Sequence, residues 1–366
     1  MFDKLEPLPA WQDKSHWAND KGNAFKNPWP SYNSTASGKL EIFKGLLFHP
    51  KKIPVPDNIH EIYRVVKPVW STFAEDNLRA TWIGHATFIV ELPKQSHEQE
   101  RGIRILFDPV FSRYTSPAIA ARFGLGPKRY SRLPCSVADL PEVDVVCISH
   151  NHYDHLDLDT VKLLEARTNG TMHFGVDPER VYEMDWGDKI KVSVEGLNQN
   201  FEMNCCPAQH TSARTLVDTD ASLWCSWLVT TPTTTISHSK KVYFLGDTGY
   251  RYTPTDDRKG WPKCPIFKEI GQLFGGIDLA MIPIGLFLPR NLLSNVHLSP
   301  EDSVEVHLDI KSRKSIGMHF GTFRGGLSRN FEDVLDPPRR LTAALEANNV
   351  PEDEFVTIDI GGSVDV

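Results

Sequence analysis

The chain has 366 residues, enough for one large or two ordinary domains, and its apolar, charged and glycine contents are those of a soluble globular protein. A net charge of −7 argues mildly against a nucleic-acid partner, although a local basic patch can still act on a membrane within a Debye length of about 8 Å. No apolar run approaches the roughly 20 residues of a transmembrane helix, so we predict no such helix.

The N-terminus and the cysteines indicate the compartment. Acidic residues and prolines stand where a secretory signal peptide would have its apolar core, so we predict no signal peptide. The six cysteines include no C-x-x-C pair, which is typical of reduced, mostly structural cysteine. The sequence therefore predicts an intracellular protein.

The composition of the chain changes at Asn27, where aromatic residues begin to appear beside prolines. Residues 1–26 are polar and interrupted by proline and glycine, so we predict a flexible N-terminal arm, followed by a single domain over residues 27–366. Residues 38–49 show a short apolar, partly helical pattern, in which residues 46–48 precede two lysines. Such a segment can rest on a lipid interface or pack on the domain, and both alternatives stay open.

Strand-like segments follow. Residues 78–92 predict a strand, a glycine-containing turn and a second strand, and residues 104–108 predict a further strand ended by Pro109. The loop over residues 112–134 is locally basic around Arg129. A basic run is normally a solvated face, but this one could also meet phosphate head groups.

The most informative stretch is residues 143–157, VDVVCISHNHYDHLD. Its apolar start predicts a buried strand, which then breaks into His150, His152, Asp154 and His155. Burying these side chains without a partner is costly, and a divalent metal is the partner that suits them best. An extended or turning backbone can aim the first two at one point and the next two at a neighbouring point, so one loop could serve two metals. The alternative is a loop of solvated side chains.

Three further residues stand at the ends of predicted strands. His210 follows a strand-like segment, Asp247 ends a second strand and His319 ends a third. A carboxylate between glycines at a strand end can bridge two metal sites, whereas the alternative for Asp247 is an Asx-turn. Because the candidate ligands run from His150 to His319, we predict one site assembled from both halves of a single domain.

An apolar loop follows the predicted strand of residues 277–284. Residues 286–293 carry leucine and phenylalanine in an irregular stretch; if exposed, this loop marks an interface, and if buried, it is a lid over the core. His297 follows the loop. Ser299 is then the predicted N-cap of a helix, with Asp302 three residues on.

The motif H-N-H-Y-D-H at residues 150–155 resembles the H-x-H-x-D-H signature of the metallo-β-lactamase superfamily, in the form of N-acyl-phosphatidylethanolamine-hydrolysing phospholipase D. Further matching segments are NPWP, WIGHAT, FDPVFS, GPKR, QHT, GDTGY, IPIG and MHFGTF. The resemblance implies an α/β fold, the αβ/βα four-layer sandwich with two mixed sheets, and two zinc ions per chain. The ligands that it implies are His150, His152 and His210 for the first zinc, Asp154, His155 and His319 for the second, and Asp247 for both.

The same resemblance places His85 and Asp108 near the metals, as groups that orient ligand imidazoles. For His85, a hydrogen-bonded core histidine is an equal alternative. Family positions that match Tyr153 and His297 contact substrate, and His297 could donate a proton or hydrogen bond to the phosphate or the leaving group. Asp154, besides binding zinc, could orient the nucleophile.

The implied activity is phospholipase D-type hydrolysis. Zinc lowers the pKa of bound water to about 7, and two ions roughly 3.5–4 Å apart can share the resulting hydroxide. We hypothesise that this hydroxide attacks phosphorus in line and converts N-acyl-phosphatidylethanolamine to phosphatidic acid and an N-acylethanolamine. Such a substrate predicts a phospholipid partner and peripheral membrane attachment through residues 286–293, residues 46–48 and the basic stretch around Arg129. Members of the family often dimerise, so a homodimer is a further expectation.

Other functions stay open. A metallo-β-lactamase-fold lactonase acting on a small sugar-phosphate would use the same ligands with a smaller polar pocket, whereas the apolar loop favours a lipid. A metal-stabilised binding protein without turnover would not need the intact set of seven ligands. Nuclease activity is disfavoured by the acidic balance. The loop of residues 231–239 is extended and the residues after Gly285 depart from the family pattern, so acyl-chain preference stays open.

Overall fold

A computed structural model describes residues 1–35, 52–70, 77–169, 178–215, 217–326 and 328–366 of the chain. The strands are, in chain order, β1 (Phe2–Lys4), β2 (Arg79–Gly84), β3 (Thr87–Glu91), β4 (Arg104–Phe107), β5 (Lys128–Arg129), β6 (Val145–Cys147), β7 (Lys189–Val194), β8 (Gln199–Cys206), β9 (Ser226–Thr230), β10 (Lys241–Phe244), β11 (Leu279–Pro283), β12 (Ser315–Met318), β13 (Phe323–Arg324), β14 (Phe355–Val356) and β15 (Ser363–Asp365). The helices are α1 (Ile59–Ile62), α2 (Ala118–Arg122), α3 (Leu158–Asn169), α4 (Ile266–Leu273), α5 (Arg290–Leu293), α6 (Pro300–Asp309), α7 (Ser328–Phe331) and α8 (Asp336–Asn348).

Within these ranges the strands form two mixed sheets and a short ribbon. The larger sheet has the order β1-β7-β8-β9-β10-β11-β12-β14, antiparallel from β1 to β10 and parallel from β10 to β14. The smaller sheet has the order β15-β2-β3-β4-β6, in which β4 and β6 pair in parallel. Strands β5 and β13 form the ribbon. The two mixed sheets confirm the predicted fold class.

Helices cover the outer faces of the sheets. Along β3, side chains alternate between faces, so that Phe88 joins the main core, which includes the space between the sheets, and Ile89 joins a second cluster with Leu164 of α3. Helices α4, α6 and α8 contribute residues such as Phe267 and Leu345 to the main core. Helix α6 begins as predicted, because Ser299 is its N-cap and accepts from a backbone N–H of its first turn. The layers are therefore helix, sheet, sheet and helix.

Aromatic packing joins the two sheets beside the candidate ligands. The rings of Phe107 and Phe244 stack with centroids 4.8 Å apart, and both residues are fully buried. Phe107 directly precedes Asp108, and Phe244 lies three residues before Asp247. This contact therefore helps to fix the distance between the two strand ends that carry these carboxylates.

Residues 1–26 do not form the flexible arm that their composition predicts. Strand β1 pairs antiparallel with β7 and extends the edge of the larger sheet. Trp11 joins the core, and His16 is 1% exposed, with its ring stacked on Trp186 at a centroid distance of 4.3 Å. His16 Nε2 also lies 2.6 Å from Asp185 Oδ1. The segment is held by tertiary contacts that a polar composition does not indicate.

The apolar loop over residues 286–293 is a lid, not an exposed interface. Phe287 is fully buried, and Leu292 and Leu293 are 6% and 8% exposed, so the predicted membrane attachment through this loop is wrong. Residues 46–48, the second predicted attachment segment, lie outside the described residues. In the part of the chain that the structure describes, no helix has the length and apolar character to cross a bilayer.

Candidate metal centre

The candidate ligands lie at one edge of the two sheets. Strands β8, β10 and β12 run in the same direction, because β10 and β12 both pair in parallel with β11, and β8 is two antiparallel steps from β10. The carboxyl ends of these strands therefore meet at one edge, as do those of the parallel strands β4 and β6. The loops after these strands carry Asp108 (after β4), the motif of residues 150–155 (after β6), His210 (after β8), Asp247 (after β10) and His319 (after β12).

Three histidines form the first group. His150 Nε2 lies 2.9 Å from His152 Nδ1, and His210 Nε2 lies 3.2 Å from the same atom. The other ring nitrogens of His150 and His210 face Ser149 Oγ and the carbonyl oxygen of Val296, each at 2.9 Å. These contacts orient the two rings so that their Nε2 atoms point at the shared position.

The second group surrounds Asp154. Its Oδ2 lies 3.1 Å from His85 Nε2 and 3.7 Å from His319 Nε2. His155 completes the group, and the four donor atoms lie within 4.8 Å of one another. Asp108 Oδ2 accepts from His155 Nδ1 at 2.7 Å, which orients the His155 ring and leaves its Nε2 facing the group. His85 therefore contacts a candidate ligand, a position from which it can orient the Asp154 carboxylate.

Asp247 lies between the two groups. Its Oδ2 is 3.2 Å from His155 Nε2, 3.1 Å from His319 Nε2 and 3.8 Å from His210 Nε2. Its Oδ1 is buried and has no hydrogen-bond partner among the described residues. An Asx-turn would instead have the carboxylate accept a nearby backbone N–H. The position of Asp247 is one from which a carboxylate can contact ions in both groups.

Glycine is needed on both sides of Asp247. Gly246 has a φ of +59°, and a Cβ there would lie 2.7 Å from the Cβ of Ser149. A Cβ at Gly249 would lie 2.1 Å from the carbonyl oxygen of Asn295. A larger residue at either position would push the Asp247 loop out of the site.

Burial and neighbouring charges lower the pKa of some histidines in the site and raise the pKa of others. Burial and the adjacent imidazoles hold the pKa of His150 well below its usual value, which favours the neutral form that binds metal. Burial alone would lower the pKa of His319, but Asp247 and Asp154 outweigh it and raise that pKa to about 9. Burial would raise the pKa of Asp247, yet His155 and His319 hold it well below its usual range. A positive charge is therefore favoured between Asp247 and the second group.

The donor atoms suit divalent metal ions. The Nε2 atoms of His155 and His319 and the Oδ1 of Asp247 are buried without hydrogen-bond partners within the described ranges. Buried polar atoms that lack partners are costly, so their convergence on one space indicates a ligand there. Nitrogen and carboxylate donors without thiolate are typical of catalytic zinc sites, which keep a coordination position open.

A network that the sequence analysis missed ties the N-terminal segment to the site. Asn27 Nδ2 donates to the carbonyl oxygen of His210 at 2.7 Å, and Ser31 Oγ donates to Gln209 Oε1 at 2.5 Å. Gln209 Nε2 in turn donates to the carbonyl oxygen of Asn295 at 2.8 Å. These bonds connect two of the loops that carry candidate residues. The change in composition at Asn27 signals an ordered segment but not its partners.

Tyr153 is not part of the converging cluster. Its hydroxyl donates to the carbonyl oxygen of Arg214 at 3.0 Å, and the Arg214 guanidinium lies 3.9 Å from its ring centroid. Arg214 also donates to the carbonyl oxygens of Asn151 and Leu156, each at 2.9 Å. Tyr153 and Arg214 therefore stabilise the loop that carries the motif. Substrate contact by Tyr153 stays a prediction.

His297 lies beside both groups. Its Nδ1 is 3.8 Å from Asp247 Oδ2, and its ring centroid is 5.3 Å from that of His210 and 5.4 Å from that of His319. Arg290 Nη1 donates to the carbonyl oxygen of His297 at 3.2 Å, which fixes this part of the loop. Donor atoms of His297, Asp247 and His319 lie within 4.8 Å of one another, so substrate contact and metal binding are both compatible with the geometry.

A cavity of about 200 Å³ adjoins the second group. Its wall includes His85, Asp154 and His319. The rest of the wall is largely apolar and includes Leu286, Leu293, Phe320, Phe323, Val334 and Pro337. A ligand that is held at the second group therefore has an apolar space beside it.

Two comparisons bear on the family of this chain. The beta-lactamase superfamily domain matches residues 103–320. The chain is also 32% identical over 362 residues to N-acyl-phosphatidylethanolamine-hydrolyzing phospholipase D 1 of Caenorhabditis elegans, which covers 93% of this chain and 92% of the relative. The chain belongs to this phospholipase family, within the metallo-β-lactamase superfamily. Like its family, it is a metal-dependent hydrolase.

Further relatives agree with membership of the phospholipase family. The mitochondrial N-acyl-phosphatidylethanolamine-hydrolyzing phospholipase D of Saccharomyces cerevisiae is 30% identical, over 88% of this chain and 71% of the relative. The solved structure of isothiocyanate hydrolase from Delia radicum gut bacteria is similar, with a TM-score of 0.51 at 17% identity, over 78% of this chain and 98% of that chain. The second likeness shows the fold alone. All seven candidate ligands fall inside the matched superfamily domain.

Proposed function

We propose that this chain is a zinc-dependent phosphodiesterase of the phospholipase D type, which hydrolyses N-acyl-phosphatidylethanolamine to an N-acylethanolamine and phosphatidic acid. The observation that carries the proposal is the Asp247 carboxylate, whose Oδ2 lies within 3.8 Å of histidines from both candidate groups. The identity to the relative from Caenorhabditis elegans supports the substrate class.

Two zinc ions are the proposed cofactors. The residues that would hold them are His150, His152 and His210 for the first, Asp154, His155 and His319 for the second, and Asp247 for both. When bound, zinc makes a nucleophile available from water at neutral pH and stabilises charge on phosphate oxygens. Asp154 lines the cavity and is held by His85, so this carboxylate is placed to orient the reacting water.

The apolar cavity favours a lipid substrate over a sugar-phosphate. Its wall combines candidate ligands with leucine, phenylalanine and valine, whereas a polar substrate would require more polar lining. The test incubates zinc-loaded protein separately with N-acyl-phosphatidylethanolamine, a sugar-phosphate lactone and a cyclic nucleotide, and identifies products by mass spectrometry. We expect phosphatidic acid and N-acylethanolamine. An intact phospholipid beside a cleaved lactone or cyclic nucleotide would refute the proposal.

Replacing His297 with alanine should lower kcat by about 100-fold, the lower end of what a positioned proton donor contributes, while metal content stays unchanged. The ring lies beside both groups, where we propose that it donates a proton or hydrogen bond to the substrate, so its loss lowers kcat. It is not one of the seven proposed ligands, so the metal content is unchanged. Turnover and metal content should be measured on the same preparation, with exposed His60→Ala as the control. Loss of metal from His297→Ala would show that His297 is a ligand.

Of the attachment surfaces that the sequence analysis predicts, we retain the basic stretch around Arg129 and extend it to the exposed apolar residues that precede it. Ile119, Phe123 and Leu125 are 73%, 77% and 61% exposed, in and just after helix α2. They lie between Thr115 and Pro127, which both line the cavity. Basic residues Arg122 and Lys128 stand in the same segment. We propose that this segment, residues 118–128, docks on an anionic bilayer beside the cavity.

The double change Phe123→Asp, Leu125→Asp should reduce flotation with phosphatidylserine-containing vesicles by about 10-fold or more, because inserting one large apolar side chain contributes about 1.5–3 kcal/mol. The matched control is Leu308→Asp, at a half-exposed leucine on helix α6. Unchanged flotation of the double variant would rule out this surface. Hydrolysis of a short-chain soluble substrate should be unchanged in both variants.

A further inference from the structure

Arg324 is a cationic residue in the otherwise largely apolar cavity. It belongs to strand β13 and lines the cavity together with Phe323, Leu286 and Leu293. Asp154 and His319 line the same cavity, so a ligand held by the second group shares this space with the guanidinium. The charge therefore lies where it can affect which ligands bind.

The guanidinium is not neutralised by a direct ion pair with any residue that the structure describes. Its Nη2 donates to the carbonyl oxygen of Ile53 at 2.8 Å, and its Nε is buried without a partner in the described ranges. The buried carboxylate of Glu332 also lines the cavity, but it accepts the backbone N–H groups of Leu286, Phe287 and Leu288, at 3.0, 2.6 and 3.2 Å. Glu332 thus supports the loop over the cavity, while Arg324 keeps donors for a ligand.

The ligand chemistry follows from this arrangement. Arginine carries five N–H donors and no acceptor, so its partner must supply a hydrogen-bond acceptor, and in a phospholipid the acceptors are oxygen atoms. The cavity walls suit an acyl chain, and a phosphodiester held at the metal groups would leave its acyl-bearing arm for the cavity. The polar atom next to an acyl chain in such a lipid is a carbonyl oxygen.

We propose that Arg324 is a specificity-determining residue, which donates a hydrogen bond to the carbonyl oxygen that adjoins an acyl chain of the substrate. The inference rests on the proposed phosphodiesterase function and adds the group that the cavity recognises. Two carbonyls share this chemistry: the amide of the N-acyl group and the glycerol ester. Different substrates distinguish them.

The test compares the metal-loaded wild type with Arg324→Gln and Arg324→Lys. Arg329→Gln is the matched control, because it removes the same charge from an exposed arginine five residues away. Three compounds are used: N-acyl-phosphatidylethanolamine; phosphatidylethanolamine, which lacks the amide; and glycerophospho-N-acylethanolamine, which lacks the esters. Each is measured by kcat/KM or, where turnover is absent, by its inhibition constant against the first.

The expected result is a loss of about 10-fold or more for Arg324→Gln on N-acyl-phosphatidylethanolamine, mainly in KM, with partial recovery in Arg324→Lys. An amide partner predicts the same loss with glycerophospho-N-acylethanolamine but not with phosphatidylethanolamine, and an ester partner predicts the reverse. Equal losses on all three compounds would show that Arg324 only supports the Ile53 segment and would overturn the proposal, as would no loss on any. A wild type that hydrolyses none of them would instead refute the proposed function, and the assigned ligand with it.

Discussion

Replacing Asp247 with asparagine is expected to lower turnover by more than about 100-fold, because residues that only orient metal ligands already contribute 10- to 100-fold. The Asp247 Oδ2 atom faces His155 at 3.2 Å and His319 at 3.1 Å, and it is 3.8 Å from His210. Asparagine keeps the size of the side chain and removes its negative charge. Both candidate groups should therefore lose affinity for metal, not one alone.

The measurement for Asp247→Asn is metal content per chain together with kcat/KM on the same sample. Asp353→Asn is the matched control, because it neutralises a carboxylate at an exposed position. Circular dichroism checks that the fold is kept. A variant that retains both metals and at least a tenth of wild-type turnover would show that Asp247 does not bridge the groups.

Removing metal with a chelator should abolish turnover and lower Tm by several degrees. Ligands that bind only the folded chain stabilise it by about 4 kcal/mol at a free concentration 1,000-fold above Kd, and each kcal/mol changes Tm by roughly 1 °C in a protein of this size. The physical reason is the set of buried donors, including His155 Nε2 and Asp247 Oδ1, that have no hydrogen-bond partner in the described ranges.

The chelation experiment is read by calorimetry and by a lipid assay before and after dialysis. Adding zinc back should restore both Tm and turnover, which separates metal loss from irreversible unfolding. Full activity of a sample from which metal has been removed would contradict this prediction and would show that turnover does not depend on metal.

Local sequence was sufficient to predict the central loop. The apolar run before His150 predicted a strand that ends at the ligands, and strand β6 covers Val145–Cys147. The spacing of His150, His152 and Asp154 then predicted two neighbouring points of convergence. The structure brings these side chains into two adjacent groups. Spacing within one loop is a local property, so no information on distant parts of the chain was needed.

The convergence of His210, Asp247 and His319 depends on strand direction, which local patterns do not encode. Each residue follows a predicted strand, but only the parallel arrangement of β10, β11 and β12 brings the strand ends to the same edge. The family resemblance supplied this step. For Tyr153, the predicted substrate contact stays a prediction, and local sequence does not indicate that its hydroxyl donates to the carbonyl oxygen of Arg214, 61 residues further along the chain.

The predictions that the structure contradicts concern whether short segments are buried or exposed. His16 and Asp185 lie 169 residues apart, so nothing near His16 indicates that it is buried. Leu292 and Phe123 are both apolar residues in irregular surroundings, yet the first is buried and the second is 77% exposed. Tertiary packing decides these cases, and the same is true of Arg324, whose importance depends on a cavity built from distant segments.

The most direct test counts metal atoms per chain in a preparation whose turnover of N-acyl-phosphatidylethanolamine is measured on the same sample. We predict two zinc ions per chain and release of phosphatidic acid and N-acylethanolamine at a rate that rises with occupancy of the second ion. A fully active sample with one metal ion per chain, or with none, would contradict this prediction.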